Sequence, residues 1–206
     1  MNRVLPILFN TEMVKAILEG RKTVTRRCIW FPSYVRKEDT GTFTILEEDY
    51  GYSSEREIEE LILNSYLKKP YQPGDILYVR ETWLKADDGY YYRADETPDS
   101  KRLREDYGYK WRPSIHMSKA VARIWLKVTN VRVERLQDIT SVQAWNEGAR
   151  CSCMSPVPEC AGNKEAFRVI WDSTIQKSEL EYYGWKANPW VWVIEFKRCE
   201  KPEGMG

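Results

Sequence analysis

The chain has 206 residues, enough for one domain with insertions, and 42% of them are hydrophobic, enough for a core. Its 32 Lys and Arg residues against 31 Asp and Glu leave a net charge of +1, which excludes a surface that is basic overall and grips a long nucleic-acid backbone. The N-terminus reads straight into Val4–Phe9 without a signal peptide, and no apolar run is long enough to span a bilayer. A cytoplasmic protein with no membrane partner is therefore expected.

Val4 to Phe9 reads as a strand. Asn10 or Thr11 caps a helix whose apolar face holds Met13, Ala16 and Ile17, and Gly20 ends it. The helix delivers Gly20-Arg21-Lys22-Thr23-Val24-Thr25-Arg26-Arg27, with four cations in eight residues. A helical or tight turn would bring Lys22 and Thr25 to one face. A lysine of lowered pKa beside a hydroxyl is a base beside a nucleophile. The same residues also read as a solvated basic turn, with cations favoured by the helix dipole.

Between Pro32 and Pro70 the composition changes. Thr42 to Glu47 reads as a strand, and Ser54 opens a capping box before Ile58, Leu61, Ile62 and Leu67. Pro73-Gly74-Asp75 is a turn, and Ile76 to Trp83 reads as one strand with Leu77, Val79, Glu81 and Trp83 on a shared face. Asp88-Gly89 turns a hairpin into Tyr90–Arg93, and Thr97 to Tyr107 reads as a polar, mobile loop. His116 is the only histidine; it either makes a structural hydrogen bond or contacts a substrate.

Ala122, Ile124, Leu126 and Val128 alternate, and the apolar phase then slips to Val131 and Val133. That slip predicts a bulge near Thr129-Asn130 and a sharply bent strand, as in a small barrel. Thr140 and Gln143 form a capping box, and Gly148 follows the helix. Glu147 then sits at the unfavourable end of the helix dipole. As a surface residue, its change to glutamine would slightly stabilise the fold; in a pocket beside Lys22, the change would lower activity on the order of 100-fold or more and cost little stability. Cys151, Cys153 and Cys160 lie in a Pro/Gly loop and are close enough to raise the question of zinc, with Cys28, Cys199 or His116 as the fourth ligand, but their spacing does not match a paired Cys-x-x-Cys knuckle. With five cysteines in all, free thiols are expected, with no metal and no cofactor. Lys164 to Ser173 reads as a helix with Phe167, Ile170 and Trp171 inward, and Trp190 to Phe196 as a strand buried on both faces.

This order of elements resembles the ASCH superfamily of PUA-like barrels. The resemblance is carried by Gly20 to Arg27, Pro73-Gly74-Asp75, Leu136 to Glu147 and Trp192 to Phe196, and it spans nearly the whole chain. It implies an α+β fold: a PUA-like small mixed β-barrel with flanking helices, forming a single domain over 1–206 with insertions at about 32–70 and 85–110. Of the family pattern Gly-x-Lys-x-x-Glu-x-Arg, Gly20, Lys22 and Arg27 match, while Thr25 replaces the glutamate. A small bacterial ASCH enzyme, an N4-acetylcytidine amidohydrolase, shares that departure. By resemblance to it, Lys22, Thr25 and Glu147 would be catalytic, Glu147 being aligned through Leu136, Thr140 and Ala144. Thr25 would attack the acyl carbon, Lys22 would act as base, and Arg27 would stabilise the oxyanion. Arg21, Arg26 and His116 are further candidate substrate contacts. The strand face adds Trp83 to stack a base and Glu81 to accept from its exocyclic amine.

The overall sequence also looks close to phage- and prophage-borne ASCH-like proteins, and the family is associated with RNA binding and, in some members, RNA cleavage. The expected partner is a modified nucleoside or RNA; no DNA-specific motif is seen. A non-catalytic RNA- or nucleotide-binding module remains the alternative to the amidohydrolase, as does a structural role.

Overall fold

The computed structural model describes residues 2–30, 69–154 and 157–202, and the backbone alone of 35–37, 43–45 and 48–52. The helix expected after Ser54 lies outside the described residues. Strand β1 (Val4–Leu8) leads through Asn10, whose side chain accepts from the Met13 amide, into helix α1 (Thr11–Leu18). Gly20 leaves the helix at φ +72°, and the chain passes into β2 (Val24–Cys28). Strands β3 (Val35–Lys37), β4 (Phe43–Ile45) and β5 (Glu48–Tyr52) form a small antiparallel sheet, so the strand expected over Thr42–Glu47 is present in shorter form.

The principal sheet has five strands in the order β1-β6-β9-β10-β2, with β6 (Ile76–Arg80), β9 (Trp125–Arg135) and β10 (Trp190–Cys199) at its centre. β1 runs parallel to β6; the other pairs are antiparallel. The class is thus mixed α+β as expected. The closed barrel is not formed: among the described residues the sheet is open, with β1 and β2 as its edges. At the seam a side chain stands where a barrel would have a ladder, Arg27 Nη2 donating to the Leu8 carbonyl at 2.8 Å.

β10 is the hinge of the core. Trp190, Trp192, Ile194 and Phe196 pack with Ile7, Phe9, Leu77 and Leu126. Val191 and Val193 pack on the other face with Val24, Leu136, Phe167 and Trp171. A strand apolar on both faces belongs inside a sheet that is covered on both sides, and here β10 lies between β9 and β2 with one of these clusters on each face. The predicted bulge is present: Asn130 pairs with Glu195 and Val128 with Phe196, so the register shifts at Thr129.

Two local readings are overturned. The strand from Ile76 stops at Arg80, and a separate hairpin of β7 (Trp83–Ala86) and β8 (Gly89–Tyr92) follows, turned at Asp88-Gly89 as predicted. The break falls at Glu81 because its backbone leaves the sheet. The Glu81 amide points to the Met117 sulfur, and its carboxylate turns inward to Arg123. Glu81 and Trp83 therefore do not share a strand face. The polar stretch after Thr97 is not a loop but helix α2 (Pro98–Tyr107). Thr97 and Ser100 cap each other reciprocally, Pro98 occupies the first turn, and Gly108 closes the helix in the left-handed region. Ends this well satisfied hold a helix with little apolar face.

Helix α3 (Ser141–Asn146) starts at the expected Thr140–Gln143 capping box, and Glu147 is its C-terminal cap. Helix α4 (Gly162–Thr174) buries Phe167 and Trp171, with Ile170 partly covered. A short helix α5 (Leu180–Tyr183) leads back to β10. Among the described residues no helix is long and apolar enough to cross a membrane.

Candidate functional site

Lys22 and Thr25 do not share the face of a turn. Lys22 lies in the coil before β2 and Thr25 within it. What fixes Lys22 is the end of α3, 125 positions later. The Thr23 amide donates to the Asn146 carbonyl at 2.9 Å, locking the two segments together. Lys22 Nζ then donates to Glu147 Oε2 at 2.6 Å, to the Glu147 carbonyl at 2.9 Å and to the Val24 carbonyl at 2.8 Å. The three ammonium hydrogens meet three acceptors, which is what a fully buried ammonium requires.

Gly148 makes this approach possible. Its φ is +89°, and an added Cβ would lie 3.0 Å from the Ala16 Cβ and 3.7 Å from that of Lys22. Gly148→Ala combines left-handed backbone strain with a squeeze on α1. It is expected to cost about 1–3 kcal/mol of stability, measured by denaturant unfolding.

Arg26 is as deeply buried as Lys22, both at 2% exposure. Its Nη1 donates to Glu147 Oε1 at 3.2 Å, and its Nη2 to Glu134 Oε2 at 2.9 Å and Gln143 Oε1 at 3.2 Å. Arg21 pairs with Glu19 at the surface. The stretch is therefore not a solvated basic turn: its cations are turned inward or matched by carboxylates. Nor is Glu147 a surface residue. It is 7% exposed and bridges two buried cations, and that pairing outweighs its unfavourable place at a helix end.

Thr25 is 1% exposed. Its hydroxyl accepts from Arg27 Nη1 at 3.1 Å. Arg27 lies over the Phe9 ring, 5.2 Å from its centroid, and Lys22 Nζ lies 5.6 Å from the same centroid. Phe9 and Arg27 also line a pocket of about 570 Å³ with Met13, Tyr71, Thr82 and Ser114. Arg27 is thus the one predicted residue that touches both the pocket and the Thr25 hydroxyl.

Burial pulls the Lys22 ammonium below the ordinary lysine range, Arg27 and Arg26 push it the same way, and Glu147 opposes them. The guanidinium groups keep their charge, so Lys22 is the cation of this cluster able to give up a proton. Between the lowered folded value and about 10.4, the unfolded chain holds the proton and the folded chain does not, so stability from this group rises with pH. Lys22→Met removes that dependence. The stability gap between wild type and Lys22→Met is expected to shift towards wild type by up to about 1.4 kcal/mol per pH unit in that window. Urea unfolding between neutral pH and pH 10 reads it, and a gap independent of pH would contradict the lowered value.

The other predicted residues lie apart from this cluster. Glu81, 1% exposed, commits both carboxylate oxygens to Arg123, at 2.9 and 3.1 Å. Burial nevertheless pushes its carboxyl up. Trp83 is buried with Met117 and Trp125 and lies under Arg112. His116 is exposed at the end of the 3-10 turn Ser114–His116. The residue between Glu81 and Trp83, Thr82, is the one that reaches the pocket. Phe9 and Tyr71 were invisible as site residues in the sequence. Phe9 reads as the last apolar residue of a strand, and Tyr71 as one tyrosine among thirteen.

Cys151, Cys153 and Cys160 are drawn together, their sulfurs all within 4.8 Å of one another. Their closeness in the sequence raises the question of such a cluster, although their spacing does not match a paired Cys-x-x-Cys knuckle.

No family model matches the chain, and no curated protein matches it. Among solved structures, the chain is similar to the ASCH domain from Lactobacillus crispatus JV V101. The TM-score is 0.42 and the identity 13%, covering 95% of this chain and 79% of that one.

Proposed function

We propose that this chain is a single PUA-like domain with two insertions, and an amidohydrolase that removes an acyl group from the exocyclic amine of a modified cytidine. The observation that carries the reading is the junction at Arg27. On one side lies a pocket of nucleoside size with an aromatic wall. On the other lie a hydroxyl and a buried lysine of lowered pKa held by a carboxylate.

The chemistry follows from the charges. The acyl oxygen of a bound ligand draws the Arg27 guanidinium from Thr25 towards itself. In the dry site Lys22 passes a proton to Glu147, and the neutral amine takes the Thr25 proton as the hydroxyl attacks the acyl carbon. Arg27 faces the oxyanion that forms. Lys22 hands its proton to the departing exocyclic amine, leaving an acyl ester on Thr25. Water, activated by the same lysine, then hydrolyses the ester and restores the hydroxyl.

A second reading is a nucleoside- or RNA-binding module without turnover. It is favoured by the depth of Thr25, 1% exposed with its hydroxyl already engaged by Arg27. Incubation with N4-acetylcytidine separates the two. The first reading expects release of cytidine and acetate. Binding without release, across a panel of N4-acylated nucleosides and oligonucleotides, supports the second reading and rejects the first.

A further inference from the structure

The loop between Glu147 and α4 brings together three sulfurs that neither the pocket nor the lysine cluster uses. The sulfurs of Cys151 and Cys160 are 3.1 Å apart and those of Cys153 and Cys160 3.7 Å. All three lie within 4.8 Å of one another. A sulfur–sulfur bond is about 2.05 Å, so these are separate thiols. With zinc–sulfur bonds of about 2.3 Å, the edge of a tetrahedral thiolate site is roughly 3.8 Å; the Cys153–Cys160 pair is at that spacing and the Cys151–Cys160 pair is closer.

We infer that Cys151, Cys153 and Cys160 form a three-thiolate site for a zinc ion, with the fourth position open to water or an outside ligand.

Two further features fit a loop built to gather sulfurs. Asn163 is fully buried and ties the loop to itself. Its Oδ1 accepts from the Cys151 amide at 3.0 Å, and its Nδ2 donates to the Val157 and Pro158 carbonyls at 2.8 and 3.0 Å. Gly162 gives the sulfurs room. An added Cβ there would lie 2.7 Å from the Cys151 Cβ and 3.7 Å from both the Cys151 and Cys160 sulfurs. Hydrophobic packing does not explain the arrangement, because Cys153 is exposed and a thiol in water gains nothing from being drawn to two others. Metal ligation does explain it, since it favours thiolates at mutual contact that would otherwise repel.

The donor set selects the ion. Sulfur ligands favour zinc over magnesium or calcium, which take oxygen. Cys28, Cys199 and His116 are not part of the cluster, so the fourth ligand is not drawn from them. Cys151 follows Glu147 by four positions. Zinc therefore clasps the segment that leaves the buried ion-pair cluster and enters α4.

The test uses the full chain, reduced, stripped by a chelator and titrated with Zn2+ alone against a chromogenic competitor. Wild type is expected to bind one equivalent and to protect three thiols from a thiol reagent. Cys153→Ser keeps an exposed position and should leave the fold intact. It should weaken zinc affinity on the order of 100-fold or more, beyond the loss typical of an outer partner, while Cys199→Ser retains full binding. Co2+ titrated in place of zinc should develop thiolate-to-metal absorption in wild type and lose it in Cys153→Ser. The inference is overturned if Cys153→Ser and Cys160→Ser bind zinc as wild type does. It is also overturned if the thiols react freely in excess zinc, or if the purified chain holds a Cys151–Cys160 disulfide and takes up no zinc after reduction.

Discussion

Glu147→Gln is expected to lower the stability of the fold by about 3–5 kcal/mol, the usual cost of removing one partner from a buried ion pair. In a chain of this size that is a fall in melting temperature of roughly 6–20 °C. The carboxylate holds Lys22 through one oxygen and Arg26 through the other, so an amide leaves two buried cations short of one charge. The sequence-based expectation of little change came from a carboxylate at a helix end or a pocket rim. Its place between two cations at 2% exposure reverses that expectation. The low end of the range is favoured, because Lys22 is already shifted towards its neutral form and keeps two carbonyl acceptors. Adding Lys22→Met to Glu147→Gln removes the uncompensated ammonium and should recover part of the loss. If the reaction proposed above takes place, turnover should fall on the order of 100-fold or more in the single variant and not return in the double one. An unchanged melting temperature for Glu147→Gln would mean that the three-way contact does not form in solution.

Thr25→Ala separates chemistry from scaffolding by the opposite pattern. The hydroxyl makes one hydrogen bond, from Arg27 at 3.1 Å, so its loss should cost only about 1 kcal/mol of stability. Loss of a nucleophile, in contrast, should lower turnover on the order of 10⁴-fold or more. Thr25→Ser keeps the oxygen and should retain measurable turnover. The readouts are cytidine release and nucleoside affinity on the same preparations. An alanine variant with turnover within tenfold of wild type would show that the hydroxyl is not the attacking group. Turnover lost together with affinity would point instead to Arg27, released from Thr25 and displaced from the pocket wall.

Features set by local chemistry were legible in the sequence. The Asn10 cap and Gly20 bound α1, Asp88-Gly89 turns its hairpin, Thr140 and Gln143 start α3, and the slip after Val128 marks the bulge. Each depends on residues within a few positions of one another. The misread features depend on partners far away. Glu81 leaves its strand to meet Arg123, 42 positions on, and Arg26 is buried because Glu134 and Glu147 lie where β9 and α3 bring them. Helix α2 was missed for a different reason: its capping box closes with Ser100 in place of the usual glutamate or glutamine. The gathering of the cysteines depends on Asn163 and Gly162, which as letters look like ordinary loop residues.

The order of strands across the main sheet also governs how the molecule is made. β2 is complete by residue 28, yet its ladder partner is β10: Val24 pairs with Glu195, about 170 positions further on. Ribosomes add roughly 5–20 residues per second, so the edge of β2 waits on the order of 10–30 s for its neighbour to be synthesised. Through that interval Phe9 has no Phe196 to meet, and Arg26 waits 108 positions for Glu134 and 121 for Glu147. The small β3-β4-β5 sheet, the parallel contact of β1 with β6 and the β7–β8 hairpin are available early, and the β6–β9 ladder follows before β10 is made. Nascent chains stalled before residue 190 should therefore remain protease-sensitive in their first thirty residues, and release of the last strand should convert the sheet in one cooperative step. Such long-range pairing places the fold among slow folders, and the half-made sheet is the species on which chaperones would act.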